Sequence, residues 1–163
     1  MAHEFLTTYL NDHLAGAQAA LEILDLLRRL DGSTVWEEID REIRTDREEL
    51  EELVRSANSR PSTLRRAAAW TAEKLAELKI HVDDPSSGGA FRRLELIEAL
   101  ALGIDGKRAL WTALQTASER MPELKSLDYD ILIARAEEQR SVVELRRLEA
   151  ATDALAPSVR TTQ

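Results

Sequence analysis

Several ionisable residues stand where the helical pattern of this chain calls for apolar ones: His13, Asp46, Asp105 and Glu138. Glu138 is the sharpest case. Ile131, Ala134, Val142 and Leu145 are its neighbours at helical spacing, which predicts a side chain turned inward. An unpaired carboxylate in an apolar interior is costly, so such a group must either shift its pKa or meet a partner. Two kinds of chemistry are open to it. Carboxylates that converge with an imidazole bind a divalent metal, whereas carboxylates met by arginine form internal ion pairs.

Register favours pairs. Counted from the turn before the last long helix, Glu138 falls level with Asp105 or Arg108 rather than Glu98, and Arg108 is an adequate counter-ion. Counted from the first hairpin turn, Asp46 falls level with Ala19 or Ala20 rather than His13. Groups at several heights do not make one cage. His13 stands on a helix face, with Tyr9 one turn earlier placed to meet a carboxylate from another helix. His3 is terminal and His81 falls in a loop. The candidate binding set is therefore His13, Asp46, Asp105, Arg108 and Glu138, read as internal polar groups. No catalytic residue is assigned, since no Ser/His/Asp or lysine-based nucleophile set is visible. Ser86-Ser87-Gly88-Gly89 lacks both the lysine and the preceding strand of a phosphate-binding loop.

Long helices must position these groups. The first runs from about Glu4 to Leu30, with Leu6, Leu10, His13, Ala17, Leu21, Leu24 and Leu27 as its stripe and Asp31-Gly32 as its stop. Thr34 and Glu37 read as a capping box that opens a second helix reaching Asn58. Its face carries Trp36, Ile39, Ile43, Asp46, Leu50, Leu53 and Ala57. Pro61 suits the first turn of a shorter helix ending near Ile80, followed by a loop from His81 to Gly89. Phe91 to Arg120 is the most apolar segment and is expected at the centre, continuous through Gly103 and Gly106, whose spacing would permit close helix approach. Met121-Pro122 and Ser126 mark the next turn, and the last long helix runs from Asp128 to Leu155. Trp36, Trp70 and Trp111 fall among aliphatics as core or interface anchors. Residues 1–156 thus form one helical domain, and 157–163 a polar tail.

Composition agrees. Charged residues make up 32% and aromatics 4% of the chain, with Gly and Pro scarce, which is a helical signature. A net charge of −8 argues against general nucleic-acid binding. The absence of cysteine removes disulfide and thiolate chemistry. No apolar run approaches a membrane span, and the N-terminus lacks the pattern of a signal peptide, so a soluble cytoplasmic protein is expected.

Helix lengths, a connection between the second and third long helices long enough to cross a bundle, and the stretches Tyr-Leu-Asn-Asp-His-Leu-Ala-Gly-Ala (9–17) and Ala-Arg-Ala-Glu-Glu-Gln-Arg (134–140) resemble the ferritin-like superfamily, in particular small bacterial members of unknown function. The resemblance covers most of residues 4–155. It implies an all-α, ferritin-like four-helix bundle with a long, partly helical crossover. Di-iron members use Glu-x-x-His pairs, and none is present here. The expectation is a non-catalytic bundle acting through oligomerisation or protein interaction, with a homodimer favoured and neither nucleic acid nor membrane as partner. The alternative is a divergent iron or manganese protein, oxidase or storage type, using Asp46, Glu49, Glu98, Asp105, Glu138 and His13. A small-molecule sensor is a third reading, to be favoured by an apolar cavity beside the internal polar groups.

Overall fold

The computed structural model of the protein describes residues 2–57 and 89–156. Among these residues lie four α-helices: α1 (Ala2–Asp31), α2 (Val35–Ala57), α3 (Gly89–Ser118) and α4 (Tyr129–Leu155), with a 3-10 turn at Pro122–Leu124. The expected helix from Pro61 to Ile80, most of the loop that follows it, Trp70 and the polar tail lie outside the described residues.

The first hairpin turns where the sequence calls for it. Gly32 adopts φ +63°, a left-handed conformation that costs glycine little, and its N–H donates to the Arg28 carbonyl at 3.0 Å. Asp31 organises the turn: Oδ1 accepts from Ser33 N at 3.0 Å and from Trp36 Nε1 at 2.8 Å, and Oδ2 lies 3.1 Å from Arg93 Nε at the start of α3. At the second turn the Tyr129 hydroxyl donates to the Leu124 carbonyl at 2.6 Å, and burial pushes its pKa up to about 12. Asp128 caps α4 by accepting from Ile131 N at 3.2 Å.

Two apolar clusters fill the interior. One joins Leu24 and Leu27 of α1, Trp36 and Ile39 of α2, Ile97 and Leu100 of α3, and Val143 and Ala150 of α4. The other joins Leu10 of α1, Leu50 and Leu53 of α2, Leu110 and Leu114 of α3, and Tyr129 and Leu132 of α4. Helix directions follow. The C-terminal half of α1 and α4 meets the N-terminal half of α2 and α3, so α2 and α3 run together and antiparallel to α1 and α4. The end of α2 and the start of α3 accordingly lie at opposite ends of the molecule. Trp36 and Trp111 are fully enclosed, as expected of anchors, and α3 is continuous through both glycines. Those glycines do not serve close packing, however: a Cβ placed on Gly103 or Gly106 would meet nothing within 4 Å.

The stripes of α1 and α2 match their sequence pattern; that of α4 does not. Its buried residues are Tyr129, Leu132, Ala136, Gln139, Val143 and Ala150, whereas Ile131, Glu138 and Leu145 are exposed. Helix α4 lies chiefly on α3. Small side chains at Ala136 and Ala150 fit beneath the large aliphatics of the core, and that fit outweighs the greater hydropathy of Ile131 and Leu145. Ala136→Leu is therefore expected to cost about 1–3 kcal/mol by overpacking, while Ala134→Leu on the outer face leaves the urea midpoint unchanged or raised. The reverse order would mean that the Ile131 stripe faces inward.

Candidate functional site

Asp46 is 2% exposed in the apolar stripe of α2, and it is matched by cations from two other helices. Lys107 Nζ on α3 donates to Oδ2, and Arg135 Nη1 on α4 reaches Oδ1 at 2.5 Å. Lys107 also donates to Gln139 Oε1, and Gln139 Nε2 donates to Glu42 Oε2 at 2.8 Å. A continuous polar chain thus runs Glu42–Gln139–Lys107–Asp46–Arg135. Burial pushes the Lys107 pKa down, opposed by the adjacent Asp46 carboxylate and by Glu42. Helix α2 is joined to α4 through these long side chains rather than by close backbone packing.

The other sequence candidates lie elsewhere. Glu138 is exposed, and its expected partner Arg108 instead sits 3.8 Å from Glu137, with both side chains about half exposed. One residue of helical rotation, about 100°, accounts for the difference. Asp105 meets Arg140 at 3.1 Å, and Glu98 lies 3.5 Å from Arg147, forming an outer ladder between α3 and α4. Glu144 anchors that ladder. Arg147 and Arg140 hydrogen-bond it and hold its carboxyl well below the usual range, at about 2. Glu49 is half-buried on α2. The residues of the iron or manganese alternative are not gathered: among the described residues no group of three or more His, Asp or Glu side chains could hold a metal ion.

His13 is half-buried, and Tyr9 packs edge-on against it with ring centroids 4.7 Å apart at 76°, in place of the expected Tyr9–carboxylate contact. Burial lowers the His13 pKa, and Asp12 partly opposes that shift. Beside it lies a partly open cavity of about 50 Å³ between α1, α2 and α3. His13 and Asp46 both line it, together with Arg47 and Lys107. Sequence reasoning missed Lys107, Arg135, Gln139 and Glu42, although a signal existed for two of them. Lys107 follows Leu100 and Ile104 at helical spacing and precedes Trp111 and Leu114, while Gln139 stands between Ala136 and Val143. No family model, no curated protein and no solved structure matches the chain.

Asp46→Asn leaves Lys107 and Arg135 without their carboxylate. The expected cost is near the lower end of about 3–5 kcal/mol, because Arg135 still reaches water, against less than about 0.5 kcal/mol for Glu138→Gln; urea unfolding compares the two. The Glu144 clamp predicts a pH dependence. A carboxyl whose folded pKa is lowered contributes stability that is present above its ordinary 4.5 and is lost as pH falls towards about 2. Glu144→Gln should melt below wild type at neutral pH, and the gap should close in strong acid.

Proposed function

We propose that the protein is a non-catalytic, ferritin-like four-helix bundle of the cytoplasm that works through association, with a second copy of the chain docking on α4. The helix directions support the bundle reading: α2 and α3 run together, as in bundles whose middle pair is joined by a long crossover. Among the described residues no helix is long and apolar enough to cross a membrane.

The observation that carries the association is the outer face of α4. Ile131, Ala134, Glu138, Ser141, Leu145, Leu148, Thr152 and Leu155 alternate at three- and four-residue spacing, and all are exposed. Ile131, Leu145, Leu148 and Leu155 are between 50% and 68% accessible, an apolar seam of the kind that helices use to pair. Antiparallel pairing of two copies about residue 143 sets Ile131 on Leu155, Glu138 on Leu148 and Ser141 on Leu145. It also keeps the two Glu138 carboxylates apart, whereas parallel pairing would stack them. Such a contact is isologous and closes as a dimer.

Sedimentation equilibrium at tens of micromolar should give a dimer for the wild type. Leu145→Glu with Leu148→Glu should give a monomer with unchanged helical circular dichroism. A monomeric wild type contradicts the proposal, as does a double variant that remains dimeric.

A further inference from the structure

The interior is interrupted midway. One apolar cluster stops at Ala20, Ile43 and Ile104, and the other resumes with Leu50, Leu110 and Trp111. The cavity occupies that break and is walled by the same residues. At about 50 Å³ it is several times the roughly 10–15 Å³ that a single water requires. Gly16 and Gly103 line its exposed rim, where a Cβ added to either would meet nothing within 4 Å, so the mouth of the cavity is open to solvent.

The polar groups at this cavity are mostly donors or cations. Lys107 uses two of its three N–H groups on Asp46 and Gln139, and the third has no partner among the described residues. Arg47, a second cation on the wall, pairs with Glu51 at 3.0 Å through Nη2. The His13 ring meets the edge of Tyr9, a contact that uses neither ring nitrogen as a hydrogen-bonding group. Against these donors stands the Asp46 carboxylate, already engaged by Lys107 and Arg135. A neutral apolar guest would leave the spare donors unmet. A cation would face Lys107 and Arg47. An anion with a small apolar body satisfies both the donors and the aliphatic walls.

We infer that this cavity binds a small aliphatic monocarboxylate, its head towards Lys107 and His13 and its tail among Ile43, Ile104 and Leu110. The test uses the full chain with sodium butyrate, with 1-butanol as the neutral counterpart and sodium chloride at matched ionic strength. Melting temperature and calorimetric binding are read for wild type and for Ile104→Phe, which adds bulk to a buried wall of the cavity; Ala20→Leu serves if the first variant does not fold. Butyrate should raise the wild-type melting temperature saturably. The filled variant and the alcohol should each bind at least about tenfold more weakly. No saturable shift at tens of millimolar butyrate would overturn the inference. An undiminished shift in the filled variant, or equal binding of butanol, would overturn it as well.

Discussion

A carboxylate removed from water must be met by positive charge, and in this protein the charge that meets Asp46 comes from two other helices. That requirement couples α2 to α3 through Lys107 and to α4 through Arg135. A buried ion pair of this kind adds little net stability, because desolvating the charges offsets most of their attraction. Its value lies in register. Sliding α2 by one turn would leave Asp46 among aliphatic side chains and strand both cations, whereas the apolar clusters on either side tolerate modest repacking far better.

The same constraint shapes the rest of the interior. Long charged side chains need room, so α2 and α4 stand apart, and the core divides into two clusters with polar groups and a cavity between them. Helix α4 turns Gln139 inward to complete the chain from Lys107 to Glu42. With Gln139 inside, Glu138 and the Ile131–Leu145–Leu148 seam are carried to the outside. The internal polar network and the exposed apolar face are thus two consequences of one helix rotation.

Much of the fold was legible in the sequence. The stripes of α1 and α2, the Gly32 turn, the anchoring of Trp36 and Trp111, and the continuity of α3 all follow from local spacing and turn chemistry. The buried position of Asp46 was equally plain, since its helix has a single apolar face. Helix α4 was not legible in the same way because it carries two apolar faces. Hydropathy favours the one with Ile131 and Leu145, and only contact with α3 shows that Ala136 and Ala150 fit better inside. The candidate site suffered accordingly: one rotated helix exchanged Glu138 for Gln139, and on α3 the inward cation is Lys107 rather than its neighbour Arg108. Long side chains such as Lys107 and Arg135 are read from sequence as solvent-facing, yet each can lay an aliphatic stem along the core and deliver its charge to a buried partner.

Asp46 is neutralised inside the protein by Lys107, and a double-mutant cycle measures that pairing directly. Unfolding free energies of wild type, Asp46→Asn, Lys107→Met and the double variant should yield a coupling of about 1 kcal/mol or more, with the double variant more stable than the two single losses imply. A coupling indistinguishable from zero would mean that the two residues do not meet, and the register of α2 against α3 would have to be redrawn.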